Sequence, residues 1–325
     1  MASTKTTKKG FTIIELLTVL SIIIILISIL VPGMNRARIF AKKVTQKGQF
    51  NEISKGLELF RNDHQETYPD SGAADTDPAG PYGYCGAMKL CEAMLGQDGM
   101  GFHPSSKFFA DATTSGTDPL STPDIYPFDL CDKKDPADYT DPLRANLRER
   151  AKYLESDNIR ASRLQDMYTW NLSTSSANFY APVVSFEDGA SVYHNAVITD
   201  VYLRAVSRCG GAKLGMPVLY YKADSSKLVH DPCFFNTALP QYATSNPSIY
   251  NFDDNHGLIK LGCPWESAAN VNPHPMLDPL VFYKAITNKK VTSTPRPHNE
   301  DGYILISAGY DGLYGTRDDV FNFAD

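Results

Sequence analysis

The chain has 325 residues, with 31 Lys plus Arg against 37 Asp plus Glu, for a formal charge of −6. An acidic balance of this kind repels a polyanion, which disfavours nucleic acid as a partner. At 42% hydrophobic residues, the chain is long enough for one large domain or two small ones beyond any membrane segment.

Taken in order, residues 1–10 carry Lys5, Lys8 and Lys9 and end at Gly10. Residues 11–31 follow with Glu15 as their one ionisable side chain and stop at Pro32-Gly33. As a helix at about 1.5 Å per residue, this run spans about 31 Å, the thickness of a bilayer's hydrocarbon. A carboxylate at mid-span would cost about 2.5–3.5 kcal/mol. Glu15 sits one turn from the start, near the interface, yet a plain anchor has no need of it. A secretory signal peptide would have an apolar core of roughly 7–15 residues ending in a small-residue site. Ile29-Leu30-Val31-Pro32 offers no such site. Lys5, Lys8 and Lys9 flank one end, and Arg36, Arg38, Lys42 and Lys43 the other, so charge alone does not orient the span.

Pro32 removes one backbone donor and kinks a helix without necessarily ending it, so the helix is expected to resume over 32–67. Phe50, Ile53, Leu57 and Phe60 recur at 3-4-3 spacing, an apolar stripe suited to packing on the protein's own sheet. Lys42, Lys43, Lys47, Glu52, Lys55 and Glu58 form the polar face. The helix should end near Asn62-Asp63-His64, before Tyr68-Pro69. Residues 68–325 would then form the head.

Residues 69–140 are rich in Pro, Gly, Asp, Ser and Thr and read as irregular. Gly86 to Leu95 is a candidate short helix, on which Cys85 and Cys91 would not face each other. Asp141 to Leu154 has a helical pattern opened by Asp141-Pro142. The whole stretch 70–175 reads as a loop-rich insertion between helix and sheet.

From 177 to 325 the chain is strand-rich. Phe179 to Phe186 and Ser191 to Tyr202 suggest a hairpin across Glu187-Asp188-Gly189, and Met216 to Lys222 with Lys227 to Val229 a second across Asp224-Ser225-Ser226. Ile249 to Asn255 suggests a turn leading into a short strand, Gly257 to Leu261. Asp253, Asp254 and His256 could be metal ligands, but residues so tightly clustered before a glycine favour an Asx-turn. Gly302 to Ala308 is a strand, apolar on both faces and so buried. It runs into Gly309-Tyr310-Asp311-Gly312-Leu313-Tyr314-Gly315-Thr316-Arg317-Asp318-Asp319-Val320. Its glycines permit tight turns, and its carboxylates supply hard oxygen donors, without the EF-hand ligand spacing.

Six cysteines, Cys85, Cys91, Cys131, Cys209, Cys233 and Cys263, all lie beyond the apolar span. In an exported domain they permit up to three disulfides with fifteen connectivities, buried free thiols being the alternative. None has zinc-site spacing. No G-x-S-x-G, P-loop, H-E-x-x-H or G-x-G-x-x-G motif stands out, and the histidines are scattered. The sequence therefore points to a non-enzymatic protein. Its 18 Tyr and 16 Phe fit sheet faces first, and an exposed subset would suit a carbohydrate or another surface.

The segment Lys8-Lys9-Gly10-Phe11-Thr12-Ile13-Ile14-Glu15, with its basic leader and apolar sequel, resembles the signal of type IV pilins and type II secretion pseudopilins. The resemblance implies cleavage by a prepilin peptidase between Gly10 and Phe11, then N-methylation of Phe11. It also implies that Glu15 pairs with the freed amine of its own or a neighbouring subunit and so sets register. Pro32 resembles the proline at which pilin helices bend or melt. The Pro217-Val218-Leu219-Tyr220-Tyr221 run and the Asp-Gly…Gly-Thr…Asp-Asp order of the last loop resemble major pseudopilins. From that loop Asp311, Asp318, Asp319 and Thr316 are the implied Ca2+ ligands; a metal-free turn is the alternative.

The expected fold is thus α+β and pilin-like, with a long N-terminal helix on a small antiparallel sheet. The expected role is a structural pseudopilus subunit supporting protein export from the inner membrane, leader cytoplasmic and head periplasmic. Its partners would be copies of itself, other pseudopilins, the prepilin peptidase and the inner-membrane assembly platform. A surface type IV pilus subunit or adhesin, binding surfaces or carbohydrate through its head, is the alternative, as the 70–175 stretch has no counterpart in the resemblance.

Overall fold

The structure, a computed structural model, describes residues 10–72, 84–108, 125–126, 146–155, 159–168, 196–206, 212–230, 248–265, 272–291 and 294–323. Two units divide the chain, Met1–Val44 and Thr45–Asp325. The fold is α+β, with one long N-terminal helix and small antiparallel sheets.

Helix α1 (Ile13–Asp63) runs through Pro32 without interruption and ends where the Asn62-Asp63-His64 signal places its end. Within the first unit every large apolar side chain from Phe11 to Val31 is exposed. Such a surface, in a helix long and apolar enough to cross a membrane, has no partner among the described residues of its own unit.

In the second unit the apolar stripe is buried as its spacing demands. Phe50, Ile53, Leu57 and Phe60 join Ile198, Tyr220 and Leu305 of the sheets, and Val218 just before β5, in one core. Two buried glutamines add polar anchors that the stripe does not announce. Gln49 Nε2 donates to the Thr199 carbonyl at 2.9 Å, and Gln46 Oε1 accepts from the Val201 amide at 3.0 Å. Strand ends leave backbone groups unpaired, and these side chains satisfy them where water cannot.

Strands β1 (Arg160–Arg163) and β2 (Ala196–Thr199) pair antiparallel, and a helical turn, α3 (Leu164–Met167), follows β1. β3 (Ala205–Val206) pairs with β4 (Lys213–Leu214). The central sheet has the order β5-β6-β7, from β5 (Leu219–Lys222), β6 (Tyr303–Ser307) and β7 (Val320–Phe321). The Asp200 amide donates to the Met216 carbonyl and the Val218 amide to the Ile198 carbonyl, both at 2.8 Å, joining β2 to the approach to β5. The alternation along β6 explains its double apolarity. Leu305 faces α1, whereas Ile304 and Ile306 enter a second core with Phe282 and Ile286 of α5 (Pro279–Ile286).

Helix α2 (Gly86–Leu95) matches its expected bounds, and all ten of its residues are buried. The 70–175 stretch therefore supplies a central core element, apolar nearly all round as a buried helix must be, and β1, the partner of β2. α2 also carries two charged side chains inward. Lys89 Nζ donates to Asp70 Oδ2 at 2.9 Å and to the Gly72 carbonyl at 2.7 Å. Glu92 accepts from Tyr84, Ser106 and Gln97. Nearby, the buried Arg150–Asp98 pair closes at 2.6 Å.

Four expectations are corrected. The Gly257–Leu261 segment is helical, not extended: a 3-10 turn (Phe252–Asn255) leads into α4 (His256–Lys260). Asn251 Oδ1 accepts from the Asp253 amide at 3.1 Å and starts that helical run; buried Phe252, Asn255 and Ile259 lie at helical spacing. The Asp224–Ser226 turn forms, but Lys227–Val229 does not pair with β5. One edge of β5 is taken by β6. On the other, the Ser71 hydroxyl accepts from the Lys222 amide at 2.9 Å and Asn255 Nδ2 donates to the Tyr220 carbonyl at 2.7 Å. Val229 bridges Ser248 instead.

Third, the helix expected over Asp141–Leu154 is described only at 146–149, and Ala151 is already bridged to Phe102. Fourth, the six cysteines do not all pair: Cys91 is a buried free thiol, which leaves at most two disulfides. Cys131, Cys209 and Cys233 lie outside the described residues, as does the Phe179–Phe186 half of the first hairpin. Among the described residues, Ser191–Tyr202 contributes only the strand β2, which pairs with β1.

Candidate functional site

Two places carry the sequence-derived candidates, and each lies within one unit. The first is the entry to α1. Gly10 and Phe11 precede the helix and are exposed, with open space around the Gly10 Cα. Thr12 caps the helix. Its amide donates to Glu15 Oε2 at 2.9 Å, its hydroxyl donates to the same oxygen at 2.8 Å, and the Glu15 amide donates to Thr12 Oγ1 at 3.3 Å. This is a capping box, readable as T-x-x-E from Thr12 to Glu15. Sequence reasoning assigned Glu15 to charge pairing and missed Thr12, although the signal was there.

Further along the span, Thr18, Ser21 and Ser28 each donate to the carbonyl three residues back, of Glu15, Thr18 and Ile25 respectively. Their hydroxyls are thus satisfied inside the helix, as a hydrocarbon environment requires. Pro32 lies inside the helix and has no amide to donate.

The second place is the loop from β6 to β7. Gly309, Gly312 and Gly315 all adopt positive φ, at 66°, 76° and 95°. At Gly309 a Cβ would lie 2.3 Å from the Asp318 carbonyl oxygen, so both the backbone angle and the space require glycine. Tyr314, fully buried, donates its hydroxyl to the Pro217 carbonyl, and its amide donates to His274 Nδ1 at 3.1 Å. Asp200, buried beneath the loop, ties three segments together: it accepts from the Tyr202 and Met216 amides, each at 3.1 Å, and from the Ser307 hydroxyl at 2.9 Å. Nothing local in the sequence distinguishes Asp200 from a surface aspartate.

The loop engages each of its candidate ligands in hydrogen bonds of the turn itself. Asp311 Oδ1 accepts from the Leu313 amide at 2.8 Å. Asp318 accepts from the Asp311 amide at 2.8 Å and the Thr316 hydroxyl at 2.5 Å. Asp319 Oδ2 accepts from the Gly315 amide at 2.7 Å, while Asp319 Oδ1 is buried without a hydrogen-bond partner. Burial and the Asp318 charge raise Asp311, though the Leu313 amide opposes them. Asp318 is held low: burial works against it, but the Thr316 hydroxyl and Asp311 amide prevail. Burial above all, with Asp318 and Asp311 adding repulsion, pushes the Asp319 carboxyl up to about 8.

The donors are therefore the hard oxygens a calcium ion takes, and one is orphaned. The same carboxylates also serve the turn, each accepting from backbone amides. Among the described residues, no three His, Cys, Asp or Glu side chains converge as a metal-holding group. Comparison with protein-family models, with curated proteins and with solved structures returns no match to this chain.

Proposed function

We propose that this chain is a structural subunit of a type II secretion pseudopilus. Its leader, residues 1–10, is removed at Gly10–Phe11 by a prepilin peptidase, Phe11 is N-methylated, and α1 inserts in the inner membrane with the head periplasmic. Subunits then stack their apolar helices head to tail, an open-ended association, together with other pseudopilins on the inner-membrane assembly platform. The observation that carries this reading is the conjunction at the N-terminus: a helix whose apolar side chains from Phe11 to Val31 are all exposed, that opens on Gly10-Phe11 and keeps a carboxylate, Glu15, in its first turn. A lone anchor with a capped start explains the apolarity and the carboxylate, but not their conjunction with a basic leader and Gly10-Phe11.

The deciding experiment is the intact mass and N-terminal peptide of the protein from native membranes. A chain starting at N-methylated Phe11 is expected. A chain still starting at Met1, with the peptidase active, overturns the reading. Cell-surface filaments lost on deletion would instead favour the surface-pilus alternative.

The β6–β7 loop, on the same reading, holds Ca2+ through Asp311, Asp318 and Asp319, with the Thr316 hydroxyl as a further donor. The ion would supply the positive charge that three neighbouring carboxylates lack, so binding and loop order would be linked. At a free Ca2+ concentration about 100-fold above the dissociation constant, the folded head gains about 2.7 kcal/mol. A thermal melt in Ca2+ against one in EDTA is expected to show this gain, and Asp318→Asn to remove it. Identical melts for the unmodified chain would leave the loop a metal-free turn.

A further inference from the structure

Three segments far apart in sequence meet on the surface of the head: the approach to β3, the chain after α4, and the β6–β7 loop. They bring together Arg204, Trp265 and Tyr310. The Arg204 guanidinium carbon lies 4.8 Å from the centre of the Tyr310 ring and 5.8 Å from that of Trp265. All three residues are exposed, Trp265 by 39% and Tyr310 by 45%.

The backbone is shaped around this cluster. Gly312, at φ 76°, leaves the space that the Trp265 ring fills: a Cβ there would lie 2.4 Å from Trp265 Cη2. Leu203, immediately before Arg204, is held at φ 50°. A bulky side chain rarely takes that region, and such strain persists where the surrounding structure fixes a functional group. The group fixed here is Arg204, whose long side chain is stacked on two rings before any partner arrives, so less ordering is left for binding to do.

What the face offers is donors. The guanidinium has five N–H groups, and among the described residues it has no hydrogen bond and no carboxylate within ion-pair distance. Asp311, the acid beside Tyr310, is turned to the Leu313 amide at 2.8 Å. The ring contacts attract the cation but leave its charge in place. A partner must therefore bring a negatively charged acceptor and an apolar surround for the rings. A planar carboxylate fits the guanidinium fork through two parallel hydrogen bonds. Trp, Tyr and Arg are also the residue types that dominate the binding energy of protein interfaces.

We infer that this face is a contact between heads, taking an Asp or Glu side chain of a second copy of this chain, with Trp265 and Tyr310 packed against the apolar surface around that carboxylate. Charge selects the copy. The chain carries 37 acidic side chains against 31 basic ones, so it has carboxylates in excess, while Arg204 is a cation left without one. The inference rests on the proposed pseudopilus assembly, which holds copies side by side and supplies the effective concentration that a one-arginine contact needs. Donor face and carboxylate are different surfaces, so the contact is heterologous and propagates along a fibre.

The test is photo-crosslinking in native membranes, with the full chain and Tyr310 replaced by p-benzoylphenylalanine, which keeps a ring at that position. The expected product is a covalent dimer whose peptide map joins position 310 to an acidic segment of the same sequence. Arg204→Glu should lower its yield about tenfold, and Arg204→Lys, which keeps the charge but loses the fork, about threefold. Because Arg204 is exposed, both purified variants should unfold with the parent. A crosslink to a different protein, no crosslink, or a dimer whose yield ignores Arg204→Glu would each overturn the assignment. The N-terminal peptide of the same sample reports processing separately. A chain starting at N-methylated Phe11 without the dimer sinks the contact alone, whereas a chain starting at Met1 sinks the filament reading.

Discussion

Glu15→Gln is expected to stay in the membrane and fail to enter filaments, whereas Thr12→Val is expected to assemble with a frayed helix start. The two substitutions separate the helix cap seen in the structure from the proposed charge pairing. Gln can occupy the third helical position of a capping box as well as Glu, so its Oε1 can still accept from the Thr12 amide and hydroxyl, as Glu15 Oε2 does. What it lacks is charge. If Glu15 pairs with a processed Phe11 amine in an apolar bundle, removing one partner of that buried pair costs about 3–5 kcal/mol. Subunit association then weakens by roughly 100-fold or more. Loss of the Thr12 cap costs only about 1 kcal/mol. The filament fraction pelleted from membranes, compared across the two variants, reads the difference. Glu15→Gln subunits pelleting like the unmodified protein would make Glu15 a helix cap and nothing more.

Gly86→Ala is expected to unfold the head or weaken it by more than about 3 kcal/mol, far beyond a usual surface change. A Cβ at Gly86 would lie 2.2 Å from the Tyr220 carbonyl oxygen and 3.1 Å from Asn255 Nδ2. The obstacle is backbone in the central strand, so it cannot rotate away. Lifting α2 off β5 would also break the Asn255 clamp, which donates to the Tyr220 carbonyl and accepts from the Ala87 amide at 2.9 Å. Gly48→Ala is the control. It lies in α1 with nothing within 4 Å of the added carbon, and should stabilise by about 0.5–1 kcal/mol. Denaturant unfolding of the two variants should move in opposite directions. A Gly86→Ala chain as stable as the parent would mean that α2 does not sit as tightly on β5 as the structure has it.

Legibility followed locality. The bounds of α1 and α2 could be read because their apolar periodicity and end signals lie within the elements themselves. β6 was readable because five consecutive buried residues leave little but a strand. The partner of β5 was not readable. Its edges are decided by Ser71 and Asn255 on one side and β6 on the other, all distant in sequence. α4 was misread because Leu258-Ile259 is strand-like alone, and the helical spacing emerges only when Phe252 and Asn255 are included. At the sites, Asp311, Asp318, Asp319 and Thr316 share the β6–β7 loop, where their side chains are engaged in the turn's own hydrogen bonds. Asp200 and Asp254 carry no local mark, since burial is what makes them unusual. The Asx-turn reading of the 253–256 cluster agrees with Asn251 capping the turn, but it hid Asp254 Oδ1, a buried carboxylate oxygen left without a donor.

The inward-turned hydroxyls of α1 have a mechanical consequence. Thr18, Ser21 and Ser28 spend their hydrogens on their own helix, so the flank offers a neighbour almost nothing but hydrocarbon. Dispersion between such flanks resists separation yet hardly distinguishes one axial offset from another. Parallel copies would behave as smooth rods with a single notch each, at Glu15. A fibre built this way, pulled along its axis, should lengthen in discrete slips of one notch to the next, with little resistance between them.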